Sequence, residues 1–244
     1  MQITHRLEQR RRFLRTLAVG AAGLYTTRGL FAEQLTETAP STEGPFYPDT
    51  MPLDTDNDLL IINDAITPAI GTVVYLDGRI MSASGEPIRN AFVEIWQVDA
   101  KGSYLHTGGR AKGGADTNFQ GYGRFITDTQ GRYFFRTIKP VSYTLGGFRS
   151  PHIHVAISRN GRRVFTTQMA TKGDATHAKD IVMSRMSQAE QDTILRDYVP
   201  LPGSHLGELT ANFDIVLGRT AQEIDGSFRG GVGKPVWDPK TFNQ

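Results

Sequence analysis

The chain has 244 residues, enough for a moderately large domain with a buried core, and its 39% hydrophobic and 21% charged content is that of a soluble globular protein. It contains no cysteine, which excludes disulfides, thiolate metal sites and cysteine nucleophiles together. The formal net charge of +2 belongs to the N-terminus: residues 1–32 hold six of the 27 basic and one of the 25 acidic residues, leaving 21 bases against 24 acids. No basic field remains there to recruit nucleic acid.

In chain order, Arg10-Arg11-Arg12-Phe13-Leu14-Arg15 precedes an apolar run from Thr16 to Tyr25 that is too short to span a bilayer. Basic, then apolar, then small at Ala32 is the order of an export signal. Arg10-Arg11-x-Phe-Leu resembles a twin-arginine address. This predicts a signal over residues 1–32, a periplasmic or secreted mature protein, and no membrane anchor after signal removal; an amphipathic N-terminal helix is the alternative.

Residues 33–70 are rich in Thr, Pro, Asp and Asn and read as an extended N-terminal arm. From Gly71 the pattern changes to strands and turns. Gly71 to Asp77, Ala91 to Gln97, Arg124 to Thr127, Tyr133 to Thr137, His152 to Ser158, Val164 to Gln168 and Phe213 to Leu217 are rich in β-branched and aromatic residues. Asp99-Ala-Lys-Gly102 and Thr129-Gln-Gly131 are turns, and Asn160-Gly161 is a two-residue hairpin signal. Ser187-Gln-Ala-Glu190 is a capping box opening a helix from Gln188 to Asp197. Many short strands and little helix predict a mostly β fold. The expectation is one antiparallel β-sandwich domain over 71–244, with long loops and one short helix.

Within the strand His152 to Ser158, Ile153, Val155 and Ile157 share one face, and His152, His154, Ala156 and Ser158 share the other. Residues two apart on a strand are separated by about 6.6–6.8 Å, and imidazoles bind metals at about 2.0–2.1 Å, so both rings can converge on one ion. Taken alone, H-x-H is more often a pair of surface or hydrogen-bonded histidines. Without cysteine or an H-E-x-x-H segment, further ligands would come from His, Asp, Glu or Tyr. A hard trivalent ion such as Fe(III) favours anionic oxygen, which a phenolate provides.

Several segments follow one another in a specific order: Thr42-Glu-Gly-Pro-Phe-Tyr-Pro48, Glu94-Ile-Trp-Gln97, Asp99-Ala-Lys-Gly-Ser-Tyr104, Gly131-x-Tyr-x-Phe-Arg-Thr-Ile-Lys-Pro140 and Arg149-x-x-His-x-His154. Together they resemble the intradiol ring-cleavage dioxygenases over about residues 40–220, most like the protocatechuate 3,4-dioxygenase branch. The resemblance implies non-haem Fe(III) held by Tyr104, Tyr143, His152 and His154. The residues themselves nominate only the two histidines and do not select these tyrosines over Tyr47, Tyr75, Tyr122 or Tyr133. It further implies cleavage of a catechol-type small molecule between its hydroxyls, with both atoms of O2 incorporated in a cis,cis-muconate-type product. Tyr143 is then the ligand that gives way to substrate, Arg149 stabilises negative charge developing on it, and Gln168 lines the oxygen side. Between Tyr143 and Arg149 the chain reads Thr-Leu-Gly-Gly-Phe, shorter than the family pattern and lacking the tryptophan that often follows the ligand tyrosine.

The alternative is an exported, non-enzymatic β-sandwich of the carboxypeptidase-regulatory type, which would explain the strands and the signal but not the Tyr and His pattern. A third reading keeps the histidine pair on zinc or copper. Trp96 and Tyr133 read as core, and His106, His177 and His205 as surface or structural residues. A homo-oligomer is the common state for such proteins.

Overall fold

Strand alternation carries over directly into two stacked sheets in the computed structural model, which describes residues 34–63, 65–109, 111–217 and 232–234. The expected signal over residues 1–32 lies outside them. The first sheet is organised by β1 (Val73–Ser82), which pairs antiparallel with β4 (Arg132–Ile138) and parallel with β11 (Leu209–Asn212) and β12 (Ile215–Leu217). β10 (Val199–Pro200) adds to β11. The second sheet has the order β3 (Tyr122–Ile126), β2 (Phe92–Trp96), β7 (His152–Arg159), β8 (Arg162–Thr171) and β9 (Leu195–Arg196). β5 (Tyr143–Thr144) and β6 (Phe148–Arg149) form a separate ribbon.

The expected mostly β sandwich with one short helix is therefore present, with parallel pairings at β1–β11, β1–β12 and β8–β9 within an otherwise antiparallel arrangement. The helix α1 (Gln188–Ile194) starts at the predicted capping box: Ser187 Oγ accepts from the Glu190 N–H, and the Glu190 carboxylate accepts from the Ser187 N–H. It ends at Ile194 rather than Asp197 because Leu195 turns extended and joins the edge of β8. Asn160 (φ 51°) and Gly161 (φ 76°) make the predicted turn between β7 and β8, both in the left-handed region that such a turn demands.

The sandwich core lies on the odd face of β7. Ile153, Val155 and Ile157 pack with Val93 and Ile95 of β2, Leu76 and Ile80 of β1 and Phe135 of β4, all fully buried. Burying each such side chain contributes about 1.5–3 kcal/mol relative to exposure. The even face is also buried, but by a different, aromatic cluster containing Tyr47, Trp96, Tyr104, Tyr122, Tyr143 and Ala156.

That second cluster is closed by the segment preceding β1, which bridges the sheets: the Thr38 N–H donates to Val216 O on β12 and the Ser41 N–H to Thr166 O on β8. A buried carboxylate anchors it further. Glu94, fully buried on β2, accepts from Tyr47 Oη (2.5 Å), Tyr122 Oη (2.6 Å), Arg163 Nη2 (2.8 Å) and the Gly233 N–H (3.2 Å). Arg163 also pairs with Glu43 and lies 4.7 Å from the Tyr47 ring centroid. Burial and the neighbouring Glu94 push both phenols above their ordinary pKa, so Tyr47 and Tyr122 remain protonated donors.

The β5–β6 ribbon is tight. Gly147 has φ 135°, and a Cβ there would sit 2.9 Å from Ile181 Cδ1. Only glycine lets this turn close against the segment carrying Ile181.

Two stability predictions follow from these contacts. Glu94→Ala removes the common acceptor of two phenols and a guanidinium and should lower the unfolding free energy by about 3–5 kcal/mol. Urea denaturation measures it, and a loss below about 1 kcal/mol would show that the network contributes no more than a surface pair. Gly147→Ala should cost about 1–3 kcal/mol and lower Tm; an unchanged Tm would show that the ribbon relaxes freely.

Candidate metal centre

β7 presents His152 and His154 on the face turned away from the sandwich core, and the neighbouring strands fix how far the rings can move. Trp96 pairs in register with His154 across β2–β7, and its indole stacks on that imidazole at 4.8 Å and 4°. Tyr143 arrives on β5. Tyr104 comes from the turn after β2, where Asp99 Oδ1 accepts from the N–H groups of Lys101 and Ser103. Gly102 in that turn has φ 78°, and a Cβ on it would approach Tyr143 Cβ to 3.3 Å. The glycine thus allows the two tyrosine-bearing loops to touch.

Four polar tips converge. Tyr104 Oη lies 3.1 Å from Tyr143 Oη, Tyr143 Oη lies 3.5 Å from His152 Nε2, and His152 Nε2 lies 3.1 Å from His154 Nε2. All four residues are buried, and Tyr143, at 6% exposure, is the most accessible. Phe46 lies against the pair of phenols, stacked on Tyr104 at 4.8 Å and edge-on to Tyr143 at 6.2 Å. The four residues implied by the resemblance are therefore brought together, whereas the alternative tyrosines are committed elsewhere. Tyr47 and Tyr122 bond Glu94, Tyr75 bonds Glu208, and Tyr133 bonds Phe213 O.

The protonation states suit metal binding. His152 Nδ1–H donates to Ser150 O at 2.6 Å, which leaves the Nε2 lone pair facing the cluster. Burial, reinforced by the nearby Arg149 charge, pushes His152 down to about 3. Burial, His152 and Arg149 push His154 well below the ordinary imidazole value. Both rings are neutral near pH 7. His154 Nδ1 is buried with no hydrogen-bond partner. Burial, then Tyr143, push the Tyr104 phenol well up, and burial raises Tyr143; Arg149 opposes the rise in both. A bound cation would reverse it by favouring the phenolate.

These residues fit a ferric ion. Donors about 2.0–2.1 Å from one centre stand about 2.8–3.4 Å from their neighbours, close to the 3.1–3.5 Å separations found here. Among the described residues no group of three or more His, Asp or Glu side chains is placed to hold an ion, and the donors that converge with the two imidazoles are phenol oxygens. Two phenolates and two imidazoles form a hard, partly anionic donor set.

Arg149 stands opposite Tyr143 in the β5–β6 ribbon and is 8% exposed. Its Nη2 donates to Gln168 Oε1 at 2.6 Å, and its Nε to Asp180 Oδ1 at 3.2 Å. Gln168 itself pairs in register with His154 across β7–β8. Arg149 and Gln168 are thus bonded to each other beside the ribbon and strand that carry Tyr143 and His154. Asp180, Ser150 and Phe46 are additions that residue patterns did not single out. Phe46 lies in a segment that carried the resemblance without a role, and no motif marks Asp180. His177 contacts Ser150 Oγ and Thr171 O, and His106 contacts Gln120 O; neither is among the four converging tips.

A family model described as Dioxygenase matches residues 42–218. The protocatechuate 3,4-dioxygenase beta chain of Burkholderia cepacia is 35% identical over 163 residues, which cover 64% of this chain and 69% of that protein. Catechol 1,2-dioxygenase of Acinetobacter baylyi is 34% identical over 178 residues, covering 64% of this chain and 55% of that relative, so the chain spans little more than half its length. The solved structure of catechol 1,2-dioxygenase from Acinetobacter sp. ADP1, inhibited by bound mercury, aligns with a TM-score of 0.59 and 26% identity, covering 86% of this chain and 72% of that one. These matches favour a ring-cleaving enzyme over a non-enzymatic sandwich module, and the chain belongs to the intradiol ring-cleavage dioxygenase family.

Proposed function

We propose that this protein is a non-haem Fe(III)-dependent dioxygenase that cleaves a catechol-type ring between its hydroxyl-bearing carbons to a cis,cis-muconate-type product. The observation that carries this reading is the convergence of two phenol oxygens and two neutral imidazoles, linked in turn by separations of 3.1, 3.5 and 3.1 Å. Tyr104, Tyr143, His152 and His154 would hold the ion. When bound, ferric iron supplies Lewis-acid activation of a chelated diol and a template that sets its orientation toward dioxygen.

The chain's own groups do the rest. Two phenolates and a hydroxide balance a trivalent charge, which makes a buried site tolerable. A diol entering as a dianion must shed two protons; Tyr143 Oη, on the most accessible of the four residues, would take up one, and the hydroxide would take up the other and leave as water. Arg149 supplies fixed positive charge where negative charge develops on the substrate. Gln168, bonded to Arg149 Nη2, orients that charge on the oxygen side. Neutral His152 and His154 remain in place because Ser150 O and the Trp96 ring hold them. Export through a twin-arginine signal is part of the same proposal, supported by Arg10-Arg11 and the apolar run that follows. Among the described residues no helix is long and apolar enough to cross a membrane.

Iron-loaded protein should be reddish from tyrosinate-to-Fe(III) charge transfer and should consume oxygen with members of a catechol panel, giving products opened between the hydroxyls. Tyr104→Phe and His152→Ala should each lose colour and cleavage together; full activity in either variant removes that residue from the ligand set. Arg149→Ala should keep the colour but slow turnover by about 10²–10³-fold. Loss of iron from that variant would instead make Arg149 structural.

A further inference from the structure

We propose that Asp180 is a positioning residue that sets the Arg149 guanidinium relative to the His152 imidazole, a role that rests on the ring-cleavage reading above. Asp180 is fully buried between two short turns of 3-10 helix, His177–Lys179 and Met183–Arg185. Its Oδ1 accepts from Arg149 Nε (3.2 Å), the Val182 N–H (2.7 Å) and the Met183 N–H (3.0 Å). Its Oδ2 accepts from Arg149 Nε (3.3 Å), the Ser150 N–H (2.7 Å) and Ser150 Oγ (2.8 Å).

The same carboxylate therefore grips two consecutive residues with different tasks. Through Nε it holds the stem side of the Arg149 guanidinium, while Gln168 holds Nη2. Two anchors on a planar fork fix its direction as well as its place. Through both Ser150 donors it holds the residue whose carbonyl accepts His152 Nδ1–H. Arg149 and His152 are thus referred to one rigid point, outside the strand that carries the imidazoles. Such referencing matters here because Arg149 stands directly opposite Tyr143 in the β5–β6 ribbon, beside the converging phenols and imidazoles. Burial pushes the Asp180 carboxyl up, but Arg149 and the N–H groups of Met183, Val182 and Ser150 outweigh it and keep the group ionised. A residue that served only to cap the Met183 turn would use the two backbone donors on Oδ1 and have no call for the Arg149 contact.

The test compares the iron-loaded full chain with Asp180→Asn, Asp180→Glu, Arg149→Gln and the Asp180→Asn/Arg149→Gln double variant, measuring kcat, KM, iron content and the visible band. Whichever way the amide lies, Asp180→Asn turns an –NH2 toward groups that already donate. It should keep iron and the band, since all four ligands remain, while kcat falls about 10- to 100-fold with little change in KM. The double variant should be no slower than the slower single variant, because both changes act through one guanidinium. Asp180→Glu restores the charge and should recover part of the lost kcat. If Asp180→Asn does not fold, Asp180→Glu decides alone: a lower kcat at full iron content supports the role, and wild-type kcat overturns it. Wild-type kcat in Asp180→Asn, additive losses in the double variant, or loss of iron together with activity each overturn it as well. A wild-type protein that cleaves no catechol overturns the parent reading and this role with it, whereas an active wild type beside an equally active Asp180→Asn overturns only the role.

Discussion

Two imidazole nitrogens, His152 Nε2 and His154 Nε2, face each other at 3.1 Å in the interior of this protein, and at most one proton fits between them. With Ser150 O accepting a hydrogen bond from His152 Nδ1–H, the histidine pair is held neutral and turned inward. The arrangement survives because β7 is anchored on its other face, where Ile153, Val155 and Ile157 are locked in the sandwich core. Slipping the strand by one residue would send the imidazoles into the hydrocarbon core and the isoleucines onto the aromatic cluster. The hydrophobic register of one strand is thus also the register of the site.

Two buried ionic groups frame that strand. On the Trp96 side, Glu94 collects Tyr47, Tyr122 and Arg163 and ties the segment before β1 to the second sheet. On the other side, Asp180 collects Arg149 and Ser150 and ties the β5–β6 ribbon to the 3-10 turns. Neither carboxylate is exposed, and each is tolerable only because several donors replace the water it lost. The two groups do different work. The first shuts the aromatic cluster with phenols that remain protonated, and the second delivers a fixed positive charge to the phenols that a cation would ionise.

Much of the strand pattern was readable in advance, since β-branched and aromatic runs separated by Gly and Asn turns leave few alternatives. The Asn160-Gly161 hairpin and the Ser187 capping box depend only on residues adjacent in sequence, and both appear as expected. β5, β6 and β11 were not readable. Tyr143–Thr144 and Phe148–Arg149 are too short to show a period, and their pairing depends on Gly147 meeting Ile181 across the fold. Helix α1 stops early for a similar reason: Leu195 joins β8, a partner far away in sequence.

The sequence by itself determined that His152 and His154 share a face, because side chains on a strand alternate with a period of two. It determined too that any metal here would be held without thiolate. Which tyrosines complete the cluster was decided by tertiary structure alone. Six tyrosines, Tyr47, Tyr75, Tyr104, Tyr122, Tyr133 and Tyr143, are chemically equivalent on paper, and four of them have their hydroxyls claimed by Glu94, Glu208 or Phe213 O. Tyr104 and Tyr143 instead turn their hydroxyls toward each other at 3.1 Å, and Gly102 lets their loops approach. Asp180 belongs to the same category: a buried carboxylate is chosen by donors that arrive from elsewhere in the chain, and no local spacing can announce it.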